Sequence, residues 1–401
     1  MALETAPLIY DPFDPALQRD PYPVYRRLRD EDPAHKSSHG FWVLSRFEDV
    51  FQAALDTDTF SSAQGLTFDD NEILTLGLKP TLVMMDRPHH TTFRRLISRG
   101  FTPRKVAELE PALRAFVRGR VATLAESGQA DFIEMVAGPL PTLVVAMYLG
   151  VPESDRARFD AWSGAIVQAN ATGNTVRDAA EAVAGLYAYF TELIEWRRRH
   201  PGDDMLSDLV AAEVDGRPLD LDEILGYCFV MIAGGNDTAS GLLAGAAVAL
   251  TEHLDQRRLL LDDRGLIAAA VEELLRVTSP VQGLSRTTTR DLELYATAIP
   301  AGSKIHLLYG SANRDPREFG PTADDLDVTR RFRRMLTFGY GPHHCIGAGA
   351  ARLQARLVLE ELFDLMLDFA VDASRGRFAP GPFVRRYEAL PIATGPIATG
   401  P

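Results

Sequence analysis

Cysteine is almost missing from this sequence, which has Cys228 and Cys345 as its two cysteines in 401 residues. Two cysteines form no disulfide framework of the kind that supports secreted domains, so we expect a protein of the reducing cytoplasm. A structural zinc site needs about four ligands and commonly uses paired cysteines, which the sequence also lacks. Each cysteine therefore needs an explanation of its own.

The sequence is also short of positive charge and of long apolar runs. Its 42 basic and 55 acidic residues give a formal net charge of −13, which argues against nucleic acid or an anionic membrane as a main partner. No segment supplies the roughly 20 uninterrupted apolar residues of a membrane span. The opening residues, MALETAPLIYDPFDP, lack the basic and apolar regions of a signal peptide. We therefore expect no membrane association.

Linkers are missing as well. A length of 401 residues would by itself suggest roughly two or three domains, but no Pro-, Gly- or Ser-rich linker occurs between residues 20 and 380. Most segments have helical spacing, and a few alternate as short strands do. We predict one domain over residues 1–390, mainly α with a smaller β-rich portion. The tandem repeat PIATGPIATGP predicts a disordered tail over residues 391–401.

What the sequence does contain is a concentration of turn-forming residues around one cysteine. Residues 338–347 read FGYGPHHCIG, and the residues that follow have helical composition and period. This composition predicts a tight loop with Cys345 at a helix entrance, where backbone N–H groups and the helix dipole favour a thiolate. Such a thiolate can be a nucleophile, a redox sensor or a metal ligand. The adjacent His343 and His344 leave a catalytic cysteine–histidine pair open at this point.

The spacing of this loop resembles the cysteine-ligand loop of the cytochrome P450 family of haem-thiolate monooxygenases, in its soluble bacterial class. The matching positions are Phe338, Gly339, Gly341, His343, Cys345 and Gly347. The resemblance implies the cytochrome P450 fold and one haem b, with Cys345 as the axial thiolate ligand of its iron. It also implies that His343 binds a haem propionate.

A second segment, MDRPHHTTFRR, carries His90 and Arg94 four residues apart, so both lie on one face of a predicted helix. It resembles the family's Asp-Pro-Pro-x-His-x-x-x-Arg segment, with Arg87 in place of the first proline. Arg286 stands where the family places another propionate-binding arginine. The resemblance implies that His90, Arg94 and Arg286 bind the cofactor through its propionates.

A third segment predicts a long central helix. Asp220 and Glu223 form a plausible capping box before about thirty residues without proline, and these are apolar nearly all round, as in a buried helix. Residues 234–238, GGNDT, interrupt it with glycines that cost about 1 kcal/mol each and with an aspartate that is costly when buried unpaired. These features indicate a local opening for a small ligand. The segment resembles the family's oxygen-activation motif, which implies that Asp237 and Thr238 are catalytic.

The pair Glu273 and Arg276 lies three residues apart on another predicted helix. In its register with the cysteine loop it resembles the family's salt-bridge motif, whose role is to brace that loop. Asp325 stands where we expect the third member of the brace, an arginine, and Leu326 replaces the usual phenylalanine that follows. The sequence therefore does not identify the third member of the brace.

The resemblance also implies a substrate pocket. Its walls are expected to include Ala233 and Gly234 on the central helix and Val281 and Leu284 after the Glu–Arg helix. Further contacts are expected from residues 60–85, 160–180 and 380–388. Steroid, fatty acid, polyketide and aromatic substrates all remain open on the sequence.

The implied activity is the insertion of one oxygen atom of O2 into an apolar or amphipathic small molecule, with electrons from a ferredoxin and a ferredoxin reductase. We expect the ferredoxin to contact a basic cluster consisting of Arg95, Arg99, Arg330, Arg331, Arg333, Arg334, Arg352 and Arg356. One alternative is a peroxide-using variant of the same scaffold, a subgroup that tends to lose the acid–alcohol pair present here. The other is a haem-thiolate gas sensor, which needs an output module such as a basic recognition helix, and the sequence shows none.

Overall fold

The computed structural model describes residues 7–69, 72, 79–172, 179–214 and 216–395. Helix accounts for 56% of the structure and strand for 12%, which confirms the prediction of a mainly α fold with a smaller β portion. The α-helices, in chain order, are α1 (Pro15–Arg19), α2 (Tyr22–Glu31), α3 (Phe47–Leu55), α4 (His89–Ser98), α5 (Pro103–Ser127), α6 (Pro139–Tyr148), α7 (Arg156–Thr172), α8 (Ala180–Arg199), α9 (Met205–Val210), α10 (Leu221–Glu252), α11 (Leu254–Asp262), α12 (Ile267–Thr278), α13 (Tyr309–Ala312), α14 (Pro316–Phe319) and α15 (Ala348–Leu365).

The strands are short. They are β1 (Ala34–Lys36), β2 (Trp42–Leu44), β3 (Phe60–Ser61), β4 (Gln129–Asp131), β5 (Glu213–Val214), β6 (Arg217–Pro218), β7 (Leu284–Thr288), β8 (Leu292–Leu294), β9 (Thr297–Ile299), β10 (Lys304–Leu307), β11 (Phe369–Val371), β12 (Arg377–Phe378), β13 (Tyr387–Ala389) and β14 (Pro391–Thr394). The largest sheet has the strand order β1-β2-β10-β7-β3. In it Ile305 of β10 lies opposite Arg286 of β7, so this sheet fixes the position of one predicted cofactor ligand.

Helix α10 is the predicted central helix, and it runs for 32 residues, or roughly 48 Å at about 1.5 Å per residue. Its N-terminus has the predicted capping box: the Asp220 carboxylate accepts a bond from the Glu223 N–H, and the Glu223 carboxylate accepts one from the Asp220 N–H, each at 2.9 Å. The helix packs against α6, α7, α8, α12, α15 and β11. It is buried on several sides because its side chains are apolar nearly all round.

The predicted tail boundary at residue 390 was wrong for four residues. Pro391–Thr394 form β14, the middle strand of a sheet with the order β11-β14-β4. The register pairs Ile392 with Val371 on one side and with Ala130 on the other. Ile392 is buried in this sheet. It belongs to the first copy of the repeat, which supplies the apolar, β-branched residue that such a position favours. Residues 396–401 lie outside the described residues.

No helix within the described ranges combines the length and the apolar character needed to cross a membrane.

Candidate active site

The cysteine loop is closed by its own backbone. The N–H of Cys345 donates to the carbonyl of Phe338 at 2.8 Å, around a 3-10 turn at Gly341–His343. Gly341 has φ +68°, and a Cβ there would lie 2.9 Å from the carbonyl oxygen of Ala54 at the end of α3. A side chain at this position would therefore push the loop away from α3. Glycine lets the loop settle against that helix and hold Cys345 just before α15.

Desolvation by the surrounding protein raises the pKa of the Cys345 thiol above the ordinary value. The backbone N–H groups of Gly347 and Ala348 and the guanidinium groups of Arg94 and Arg352 act in the opposite direction. The residue is nevertheless accessible to water. Cys345 is therefore accessible and has neighbours that stabilise a thiolate, as a cysteine ligand of a metal requires.

The four side chains predicted to bind propionates come together from three separate segments. The rings of His90 on α4 and His343 in the loop lie 4.2 Å apart between centroids. Burial lowers the pKa of His343 to about 3, and the nearby Arg286, His90 and Arg94 act in the same direction. Burial and, to a smaller extent, Arg94 also lower the pKa of His90, and Asp86 opposes this effect. The arrangement thus favours neutral imidazoles beside two arginines.

Such a cluster of basic side chains indicates a binding site for an anion. His90 Nε2 is buried and has no hydrogen-bond partner among the residues that the structure describes. The Asp86 carboxylate accepts bonds from the Ser61 hydroxyl and from the Ser62 N–H instead. Carboxylates entering this cluster would neutralise the arginines and use the unbonded imidazole nitrogen. A cofactor that carries propionates and binds a thiolate, such as haem, fits this donor set.

On α10, Thr238 and Asp237 have different surroundings. The Thr238 hydroxyl donates to the carbonyl of Gly234 at 3.0 Å, the backward bond that is common for threonine inside helices. A Cβ at Gly234 would meet open space. Asp237 is buried, and its Oδ1 lies 2.7 Å from Nε of Arg386 in the C-terminal part of the chain. Sequence reasoning missed Arg386 because nothing local connects it with a residue so far away along the chain.

The predicted substrate-pocket residues lie on two elements. Ala233 and Gly234 are on α10, about one turn before Thr238. Leu284 begins β7, and Val281 just before it forms a β-bridge with Val384. This bridge joins part of the predicted pocket to the 380–388 segment. Of the other predicted contact segments, residues 70–71, 73–78 and 173–178 lie outside the described residues, and α7 extends through 156–172.

The brace behind the cysteine loop has three members after all. Both side chains of Glu273 and Arg276 are fully buried and form a bidentate pair with two distances of 2.7 Å. Nε of Arg330 donates to Glu273 Oε1 at 3.1 Å. Asp325 contributes its backbone carbonyl, which accepts a bond from Arg276 at 3.1 Å. The expectation that Asp325 occupies the place of the third arginine was therefore wrong: that arginine stands five residues later, at the end of LDVTR.

The brace is connected to the loop through Asn313. Arg276 donates to the carbonyl of Asn313 at 2.8 Å. The side-chain amide of Asn313 in turn bonds the Thr337 hydroxyl at 2.9 Å and the Leu336 N–H at 2.8 Å. Helix α12 thereby fixes the irregular segment that leads into the cysteine loop.

Several arginines of the predicted docking cluster are already paired with carboxylates. The pairs are Arg330–Glu273, Arg334–Glu318, Arg352–Glu272 and Arg356–Glu360. Arg331 and Arg333 are exposed and form no ion pair with a carboxylate of the described residues. With Met335, His344 and other residues they line a surface cavity of about 240 Å³ beside the cysteine loop. Arg95 and Arg99 are exposed on and just after α4.

Comparison with known proteins agrees with this geometry. Residues 170–373 match the family model described as Cytochrome P450. Cytochrome P450 130 of Mycobacterium tuberculosis is 52% identical over 383 residues, which cover 93% of this chain and 95% of that protein. Vitamin D(3) 25-hydroxylase of Pseudonocardia autotrophica is 34% identical over 396 residues, with 96% and 97% covered. The structure of cytochrome P450 CYP109Q5 from Chondromyces apiculatus superposes with a TM-score of 0.86 at 34% identity, with 97% and 98% covered.

Proposed function

Because this chain belongs to the cytochrome P450 family of haem-thiolate monooxygenases, we propose that it inserts one oxygen atom of O2 into an apolar or amphipathic small molecule. Family membership carries the monooxygenase reaction and the haem cofactor with its cysteine thiolate. The observation that best supports the site is the convergence of His90, Arg94, Arg286 and His343 beside the Cys345 loop.

Cys345 would bind the iron through its thiolate, and the four basic side chains would hold the two propionates by charge-assisted hydrogen bonds. Bound haem supplies the activation of O2, and a thiolate ligand favours cleavage of the O–O bond. The chain's own contribution on this side is to hold the sulfur in place and to offset part of the rise in pKa that burial causes. The N–H groups of Gly347 and Ala348, together with Arg94, stabilise the thiolate, and the Glu273 brace keeps the loop rigid.

Asp237 and Thr238 would manage protons on α10. O–O cleavage consumes protons, and the pocket must otherwise exclude water to avoid side reactions. Thr238 presents a hydroxyl beside the open space at Gly234, where it can hold a water molecule or an oxygen atom of the reactant. The adjacent Asp237 carboxylate would pass protons inward from the protein's exterior. General acid catalysis of this kind contributes about 10²–10⁴-fold.

The apolar side chains of the predicted pocket support the proposed substrate class. Ala233, Val281 and Leu284 offer no charge, and Val281 is bridged to Val384, so this part of the pocket suits hydrocarbon rather than a charged group. One relative is named vitamin D(3) 25-hydroxylase, and by that name it hydroxylates vitamin D(3). A search for compounds that shift the iron from low to high spin would identify the substrate.

Electrons would come from a separate ferredoxin and its reductase. The exposed Arg331 and Arg333 beside the cysteine loop form a basic surface on a chain of net charge −13, and an acidic ferredoxin would complement them. The proposed docking surface would then lie on the cysteine side, close to the iron ligand.

Replacing the ligand tests this function directly. We expect Cys345→Ser to abolish the carbon monoxide difference band of thiolate-bound haem, and to abolish product formation with NADH and surrogate ferredoxin and reductase. Cys228→Ala is the matched control, because Cys228 is buried in α10 and takes no part in the site. The assignment fails if the parent binds no haem or if the Cys345→Ser protein keeps the band. A parent protein that forms product with peroxide, but not with NADH and the surrogate partners, would instead favour the peroxide-using variant.

A further inference from the structure

The ion pair between Asp237 and Arg386 has no part in the function as proposed so far. Arg386 lies in the hairpin that joins β12 and β13, and its Nε is 2.7 Å from Asp237 Oδ1. The two side chains are 8% and 6% exposed, so solvent hardly screens the pair. The neighbouring Arg385 turns away and donates to the carbonyls of Gln18 and Arg19. The hairpin thus directs one arginine inward and one outward.

Backbone hydrogen bonds hold the hairpin against residues 280–282, which precede β7 and include the predicted pocket residue Val281. The N–H of Gln282 donates to the carbonyl of Phe383 at 2.8 Å, and the N–H of Arg385 donates to the carbonyl of Pro280 at 2.8 Å. The bridge between Val281 and Val384 lies between these two bonds. The segment that carries Arg386 is therefore joined directly to a residue that is expected to line the pocket.

The hairpin is also seated on α10, and a glycine makes this possible. Gly241 lies about one turn after Asp237, and a Cβ there would be 2.7 Å from the carbonyl oxygen of Arg385. Alanine would force the hairpin backbone away from the helix. With glycine, the backbone approaches closely enough for Arg386 to reach the carboxylate.

This geometry bears on proton transfer. A buried carboxylate beside a guanidinium is held ionised and in one orientation, whereas without that cation burial favours the neutral acid. A group that relays protons has to accept one, release it and turn between its donor and its acceptor. The partner that fixes the charge and the direction of Asp237 therefore controls the relay.

We propose that Arg386 is a positioning residue for proton delivery, which holds the Asp237 carboxylate ionised and turned toward the hairpin and so links the acid to residues 280–282 beside the predicted pocket. The inference rests on the proposed role of Asp237 in oxygen activation. Arg386 itself does not touch the reacting atoms. Its effect is exerted through Asp237, and this can be distinguished from a general effect on the hairpin.

The test compares Arg386→Met, Arg386→Lys, Asp237→Asn and the double variant, in the haem-bound protein. Arg385→Met is the matched control, since it removes the same charge from the next residue. In infrared spectra without turnover, Arg386→Met should show the C=O band of a buried carboxylic acid that the parent lacks. The band should vanish in the Arg386→Met/Asp237→Asn protein and stay absent in Arg386→Lys and Arg385→Met.

Turnover with saturating surrogate ferredoxin gives the second measurement. We expect Asp237→Asn to lower kcat by about 10²-fold and Arg386→Met by at least about tenfold, within the range of general acid help. The double variant should be no slower than Asp237→Asn, because both changes disable one relay. Arg386→Lys should recover most of the rate, and Arg385→Met should stay close to the parent.

The outcomes separate the possible explanations. The inference is overturned if Arg386→Met resembles Arg385→Met in both measurements, or if the losses multiply in the double variant. If Asp237→Asn turns over at the parent rate, the proposed role of Asp237 fails, and the infrared band still decides whether Arg386 holds the carboxylate. Should Arg386→Met not fold, Gly241→Ala replaces it. By displacing the hairpin it should produce the same acid band and the same loss of rate, and a variant with neither would refute the inference.

Discussion

At the scale of single residues, burial decides what each polar group around the site can do. Thr238 satisfies its hydroxyl within its own helix turn, yet it borders open space at Gly234, so it stays available to a small ligand. His90 has a buried Nε2 that no described residue bonds, so it calls for an acceptor from outside the chain. The surroundings, more than the residue types, distinguish these roles.

Thr238→Ala removes the hydroxyl that would hold oxygen or water in the pocket. We expect haem content and NADH consumption to stay near those of the parent, while electrons are diverted from product to hydrogen peroxide. The measurement is the ratio of product to NADH consumed, with peroxide quantified in parallel. Thr238→Ser keeps a hydroxyl and should recover most of the coupling. Tight coupling in Thr238→Ala would contradict the role given to Thr238.

His306 gives a prediction about how the stability of the fold depends on pH. It has no exposed surface in β10, and burial lowers the pKa of its imidazole to about 3, against about 6.5 in the unfolded chain. Below pH ~6.5 the unfolded chain binds a proton that the folded protein excludes. The free energy of unfolding therefore falls with decreasing pH by up to about 1.4 kcal/mol per pH unit.

His306→Leu removes this proton from the balance. Urea unfolding at several pH values between about 6.5 and 4 should show a shallower acid dependence for the variant than for the parent, by up to that slope. The exposed His200→Gln provides a control for a histidine lost elsewhere. Parallel pH curves for His306→Leu and the parent would show that His306 is not the group responsible.

At the scale of elements, the cysteine loop is positioned by helix α12 and the irregular segment before it. Glu273 accepts bonds from two arginines and from the N–H of Asp327, so a single buried carboxylate joins the helix to this segment. Removing one partner from such a group leaves buried charge less well compensated.

Arg330→Met should therefore lower the free energy of unfolding by about 2 kcal/mol, the scale of a buried hydrogen bond to a charged group. It should also reduce haem retention, because the loop loses part of its support. Arg331→Met is the matched control. Arg331 is exposed on the adjacent position, and its loss should change stability by less than about 0.5 kcal/mol. Equal free energies of unfolding for the two variants would show that Arg330 does not contribute to the brace.

The elements also show how far sequence reasoning reaches. The capping box, the length of α10 and the pair Glu273–Arg276 depend on spacings of three or four residues, and all three could be predicted. The third arginine was expected at position 325 and is Arg330, because the spacing along an irregular segment has no fixed period. Arg386 gave no local signal, because its partner Asp237 lies on another element. Contacts between elements depend on tertiary packing, which a pattern along one strand or helix does not contain.

At the scale of the whole molecule, a net charge of −13 coexists with a basic surface beside the cysteine loop. Intramolecular carboxylates neutralise several of its arginines, including Arg352 and Arg356, so the charge available to a partner is smaller than the sequence suggests. Arg331 and Arg333 remain exposed there. The prediction of a docking surface is thus narrowed to fewer residues.

Arg333→Glu should raise the apparent KM for ferredoxin by about fivefold, as expected for the loss of one exposed charge pair. Substrate affinity, measured by the spin shift, should not change. Added salt should reduce the difference from the parent. Arg375→Glu makes the same charge change at an exposed position near β12 and serves as the control. If ferredoxin reduces both variants equally well at all salt concentrations, it binds elsewhere.

The sheet order β11-β14-β4 has a consequence for synthesis on the ribosome. β4 and β11 do not pair with each other, so neither is complete until β14 has been made. At about 5–20 residues per second, β14 follows β4 by on the order of 10–50 s. Throughout that delay β4 has an open edge, and its sequence, Gln129–Asp131, is polar at both ends. A nascent chain with such an edge attracts few wrong strand partners while it waits for the right one.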